Sequence, residues 1–133
     1  MVAIDNQTIQ IVLLEFEGYN KQTNGNNYNN QKQLLGTYLQ YELKYFANDL
    51  GVEVIKPNSQ WVMINSKGWY IWYFRVGSIP RQVVNQTKIQ LFASTVIGNK
   101  ILTINAPILA DTDFSKASLI VNEMMEKFIL TSK

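Results

Sequence analysis

Residues 69–76 read Trp69-Tyr70-Ile71-Trp72-Tyr73-Phe74-Arg75-Val76, and the fold turns on how this run is covered. Successive side chains of a strand point to opposite faces. Trp69, Ile71 and Tyr73 therefore share one face, and Tyr70, Trp72 and Phe74 share the other. A sheet with one wet face alternates apolar with polar residues, and this run does not. It is either an interior strand covered on both sides or a sticky surface. Burying one such ring is worth about 2–3 kcal/mol, whereas a wet row of them invites edge-to-edge association. The run thus predicts an interior strand with a cover on each face.

Working outward, Gln60–Asn65 forms the preceding strand, joined through the hairpin connection Asn65-Ser66-Lys67-Gly68. Val52–Lys56 is a short strand that Pro57 is expected to close. Downstream, Gly77-Ser78-Ile79-Pro80 marks a break. Within Val83–Ile97, the residues Ile89, Leu91, Ala93, Thr95 and Ile97 alternate as in a strand. Gly98-Asn99 is a two-residue turn into Lys100–Ala106, with Pro107 expected to end that strand. Near the start of the chain, Thr8–Phe16 reads as a strand with Ile9, Ile11 and Leu13 on one side and Val12, Leu14 and Phe16 on the other.

Two segments can supply the covers. Residues 34–50 carry the stripes Leu35, Leu39, Leu43, Phe46, Leu50 and Leu34, Tyr38, Tyr41, Tyr45 at helical spacing. Asn29, Asn30 or Thr37 can cap this helix, and Gly51 suits its left-handed end. Residues 114–130 place Phe114, Ala117, Ile120, Val121, Met124 and Phe128 on one face, with Thr112 or Asp113 as the cap. Residues 18–33 are polar and Asn-rich and read as a long loop. The expectation is one α+β domain over residues 1–133: an antiparallel sheet of five to six strands with an amphipathic helix on each face.

In this order of elements the chain resembles the Mog1/PsbP-like domains. The run Thr8–Glu17, the polar loop and helix 34–50 with Phe46-Ala47-Asn48-Asp49-Leu50 are similar to their first half. The hairpin Thr87–Asn105, the segment Thr103-Ile104-Asn105-Ala106-Pro107 and the closing helix are similar to their second half. The resemblance implies a domain that binds proteins or serves as an accessory subunit, and not generally an enzyme. A profilin-like or longin-like domain is the alternative fold.

Composition narrows the chemistry. The 133 residues contain no Cys and no His, so a disulfide, a thiolate nucleophile, a Ser-His-Asp triad and a His-based zinc site are all excluded within this chain. The ten acids are scattered. Asp111-x-Asp113 lacks the further ligands of a calcium loop, and Glu15 with Glu17 on one strand face is a poor match to carboxylates that oppose each other across a substrate. No phosphate-binding glycine loop is present. No cofactor and no metal are expected.

The twelve basic residues are dispersed and the net charge is +2, unlike the clustered bases of nucleic-acid binders. No apolar run has the length of a membrane span. If Met1 is native, a cytoplasmic location is expected; if it replaces a removed leader, the chain is an exported mature domain. The leading expectation is a non-catalytic domain with a protein partner, its contact surface at the sheet edge near residues 8–16 or in the Asn-rich loop. The rival is a small-molecule pocket between helix and sheet lined by Trp61, Tyr38, Tyr41 or Trp72. A third reading is an enzyme using Lys, Tyr or carboxylates. Trp61, Arg75, Arg81 and Trp72 are the candidate ligand- or partner-binding residues: the tryptophans as ring faces, the arginines as anion-binding groups beside Gly77–Pro80.

Overall fold

A computed structural model describes residues 2–4, 7–15, 28–77, 87–98 and 100–131. Its elements in chain order are β1 (Val2–Ile4), β2 (Gln7–Leu14), α1 (Tyr28–Lys44), β3 (Val54–Ile64), β4 (Lys67–Val76), β5 (Ile89–Ile97), β6 (Lys100–Ile108) and α2 (Phe114–Thr131). All strand pairs are antiparallel, in the spatial order β1-β2-β6-β5-β4-β3. The aromatic run lies in β4, an interior strand. Trp72 and Phe74 pack beneath α1 with Leu35, Leu39 and Phe92, while Trp69 packs beneath α2 with Leu91, Ile104 and Val121. The α+β arrangement with one helix on each face is therefore as expected.

The two hairpins follow their turn residues. Asn65 and Ser66 both take positive φ, 51° and 69°, as a type I′ turn requires, and Ile64 pairs with Lys67. Gly98, at φ 58°, begins the turn that sets Ile97 opposite Lys100. The ring of Trp61 lies over Gly68, where any Cβ would collide with it, so glycine is what lets β3 seat its tryptophan on β4.

Several boundaries differ from the sequence reading. Helix α1 starts at Tyr28, not after residue 33, so the polar segment 18–33 is a loop at most over its first part; residues 16–27 lie outside the described residues. The buried side chain at the helix start is Gln31, a polar residue that hides the apolar period. Asn29, Asn30 and Thr37 all lie within the helix; Thr37 donates to the Gln33 carbonyl at 3.0 Å and caps nothing. The α-helix ends at Lys44 and continues as a π-helical turn over Tyr45–Asp49, closed by Leu50 N–H donating to Tyr45 O at 3.1 Å. The wider turn carries Phe46 onto the sheet, 5.2 Å from Phe74 and 6.0 Å from Phe92 between ring centroids. Gly51 follows with φ 67°, as its position predicts.

Neither proline ends its strand. Pro57 sits in a bulge of the edge strand β3, where the register shifts between Ile55 and Asn58 and Lys56 takes φ 50°. Pro107 pairs in register with Gln90, and at that level β6 has no ladder partner in β2, so the missing N–H costs no bond. The Pro107 carbonyl instead accepts a 2.8 Å bond from the Gln7 side chain.

Candidate functional site

The α1 face of the sheet holds a continuous chain of buried polar side chains. The Trp72 indole N–H donates to Ser94 Oγ at 3.1 Å, Ser94 and Thr103 hydroxyls lie 2.9 Å apart, and the Thr103 hydroxyl lies 3.3 Å from the Tyr38 phenol. Ser94 and Thr103 are direct cross-strand partners of β5 and β6. Glu42, one turn along α1 from Tyr38, is hydrogen-bonded to that phenol.

Burial pushes the Tyr38 hydroxyl up to about 12, with Thr103 pulling the other way and the Glu42 charge adding to the rise. Desolvation raises Glu42, against the pull of its bond to Tyr38. A phenol raised this far is a poor nucleophile at neutral pH. It does make stability depend on alkaline pH. The unfolded phenol titrates near 10 and the folded one near 12, so the contribution is complete below pH 10 and is lost as pH rises to 12. The two-unit difference corresponds to about 2–3 kcal/mol. Tyr38→Phe is therefore expected to lose less stability between pH 10 and 12 than the parent, by about that amount. Superimposable pH–stability curves from urea denaturation would refute the burial of this phenol.

Lys67 is also displaced, downward, because it is half-buried. Its ammonium donates to the Val96 carbonyl at 2.8 Å, and the Thr95 hydroxyl donates to the Gly68 carbonyl at 2.7 Å. The β4–β5 ladder is in register only as far as Tyr70 opposite Ser94, so these side chains extend its contact toward the hairpin ends.

The residues singled out from sequence do not converge. Trp72 is 1% exposed and stacked on Phe92, with centroids 3.9 Å apart and planes within 10°. Trp61 is half-buried on the same face and meets Tyr70 edge-on at 5.3 Å. Arg75 is exposed on the opposite face of β4, following Tyr73. Arg81 lies outside the described residues. A cleft of about 150 Å³ lies on the α1 face; Leu39, Gln40, Leu43 and Trp72 line it, and Trp61, Tyr38 and Tyr41 do not. Among the described residues, no cluster of His, Cys, Asp and Glu has the make-up of a metal site, and no helix is long and apolar enough to cross a membrane.

The most unusual surface is on β2. Its two halves pair with different strands: residues 7–9 with β1, and Gln10–Leu14 with β6. The outer edge of Gln10–Leu14 thus has no ladder partner among the described residues. Ile11, Val12 and Leu13 are 54%, 44% and 53% exposed. Ile11 and Leu13 stand beside Ile104 and Leu102 on the α2 face, and Val12 beside Thr103 on the α1 face. The helices explain the exposure: α1 packs chiefly on β4 and β5, and α2 on β6, β5 and β3, so β2 overhangs both. From sequence the contact surface is expected either at this sheet edge, near residues 8–16, or in the Asn-rich loop, most of which lies outside the described residues. Helix placement, which leaves both faces of this strand exposed among the described residues, has no local sequence signal.

No protein-family model matches the sequence, and no curated protein matches it. Among solved structures the chain is similar to the solution structure of cyanobacterial PsbP (CyanoP) from Synechocystis sp. PCC 6803, at 12% identity and a TM-score of 0.48. The superposition covers 87% of this chain and 62% of that one, so the chain spans less than two thirds of its length. The likeness is a weak one, of fold alone.

Proposed function

We propose that this chain is a non-catalytic binding domain that receives an extended segment of a partner protein along the outer edge of β2. The observation that carries the reading is the coincidence, at Ile11–Leu13, of a strand edge without a ladder partner among the described residues and apolar side chains exposed on both faces. An added strand takes its affinity from main-chain hydrogen bonds and its specificity from alternate side chains. Covering the half-exposed Ile11, Val12 and Leu13 would contribute about 1 kcal/mol each. An edge this apolar is an aggregation hazard when left open, and natural proteins blunt or cover such edges.

The remaining chemistry supports a binding role. The Tyr38 hydroxyl is raised and not activated, and Lys67 is held by a main-chain carbonyl within a hairpin. Neither nucleic acid nor a membrane is part of the proposal, because the bases form no cluster in the sequence.

A photo-crosslinking residue placed at Ile11 or Leu13 in the native cell is expected to give one discrete heterologous adduct. The same group at Glu126, exposed on α2, is expected to give none. An adduct of twice the chain's own mass, or no adduct at either β2 position, overturns the reading.

A further inference from the structure

A groove of about 250 Å³ opens on the α2 face at the far side of the sheet from β2, between α2 and strands β3, β4 and β5. Its floor is apolar and buried: Leu91 from β5 with Val121 and Met125 from α2. Tyr73 and Phe114 stand together in its wall, edge to face with centroids 5.1 Å apart. Both rings are half-buried, so each keeps part of its surface toward the groove. Ile71 from β4, Gln60 from β3 and Ser118 and Asn122 from α2 complete the described lining, with Gln60 and Asn122 exposed.

The spacing on α2 produces this layout. Phe114, Ser118, Val121, Asn122 and Met125 recur at three- and four-residue intervals, so one flank of the helix carries a ring, a hydroxyl, a carboxamide and a thioether side by side. On β4 the residues that face this flank are Ile71 and Tyr73, the latter in register with Leu91 of β5.

We propose that this groove binds a small neutral aromatic molecule of one or two rings, held against Tyr73 and Phe114 and oriented by Gln60, Ser118 and Asn122. Size, polarity and charge each bear on the class. An apolar cavity of about 150 Å³ holds benzene, so 250 Å³ admits a bicyclic ring. An apolar floor with a few convergent polar groups is the usual make-up of a small-molecule site, and thioether–aromatic contact with Met125 favours a π-system. Among the described residues no charged one lines the groove, so there a carboxylate or ammonium on the ligand would enter without a counter-charge. The side-chain amides and the hydroxyl can each donate and accept, which fits one ring N–H or O–H. The proposal is independent of the β2 reading, since the groove involves β3, β4 and β5 and the edge lies toward the other end of the strand order.

The test is a titration of the isotope-labelled chain with indole, followed by amide and side-chain NH2 resonances. Saturable shifts confined to Gln60, Tyr73, Phe114, Ser118 and Asn122 are expected, with a midpoint of about 1 mM for so small a probe. Indole-3-acetate and tryptamine are expected to bind at least fivefold more weakly. Ser118→Phe fills the groove and is expected to reduce indole binding at least tenfold. The mapping on the unsubstituted chain stands by itself if that variant fails to fold. Shifts that do not saturate, shifts that map elsewhere, or tighter binding of either charged probe would each overturn the proposal.

Discussion

Trp72→Ala is expected to destabilise the domain by about 3–5 kcal/mol, the range for emptying a buried aromatic site. A protein of this kind has about 5–15 kcal/mol in total, so the variant should melt about 10–20 °C lower. The site explains the size of the effect. Trp72 is 1% exposed, stacks on Phe92 at 3.9 Å, and gives its indole N–H to Ser94 at 3.1 Å. Alanine removes the ring and leaves a cavity between α1 and the sheet. Trp72→Phe keeps much of the ring and loses the N–H, so about 1–3 kcal/mol is expected, the cost of leaving a buried polar group without its partner. Urea denaturation of the three proteins gives both numbers. A loss below about 1 kcal/mol for Trp72→Ala would mean that this ring does not sit in a packed interior.

The second large effect concerns binding. Val12→Lys is expected to weaken capture of the crosslinked partner about 100-fold, because a lysine on a strand edge opposes strand addition and its ammonium resists desolvation. Stability should change by less than about 1 kcal/mol, since Val12 is 44% exposed and stands at the margin of the sheet. Leu119→Lys is the matched control: Leu119 is 66% exposed on α2 and not part of the β2 strand, and its replacement should leave capture unchanged. Equal affinities for Val12→Lys and the parent, measured by titration calorimetry, would remove β2 from the interface.

The sequence discloses the elements whose side-chain pattern is doubled or periodic. The aromatic run of β4 has two apolar faces, and the only economical answer is a cover on each. The place of both hairpins follows from Asn65-Ser66-Lys67-Gly68 and Gly98-Asn99, although the first closes more tightly than its four residues suggest, with Lys67 and Gly68 already paired in β4. Helix α2 follows from its spacing. Other features depend on tertiary partners. The first turns of α1 carry Asn and Gln where a period would have to show, and Gln31 is buried by packing, not by hydropathy. Pro57 and Pro107 look like strand ends until the bulge in β3 and the unpaired side of β6 are known. The three-residue strand β1 is too short to register in any pattern.

The candidate sites were less legible than the fold. Trp61, Trp72 and Arg75 are conspicuous by residue type, yet the sheet sends Arg75 to one face and both tryptophans to the other. The polar lining of the groove, by contrast, is Gln60, Ser118 and Asn122, residues with no signature of their own, brought together by the crossing of α2 over β3 and β4.

The hydroxyl chain beneath α1 has a consequence for how the strands find their alignment. A strand with one wet face is aligned by hydropathy, because a one-residue slip would turn its apolar side outward. Strands β4, β5 and β6 are largely apolar on both faces, so for most of their residues a slip exchanges one apolar surface for another and costs little by that criterion. What forbids it is Ser94 opposite Thr103. Slipped by one residue, Ser94 would face Leu102 or Ile104, stranding its own hydroxyl and that of Thr103 in the interior at about 1–3 kcal/mol each. The Trp72 indole N–H, donated to Ser94, ties β4 to the same pair, and the polar minority of this interior selects one alignment from several that hydropathy alone would accept.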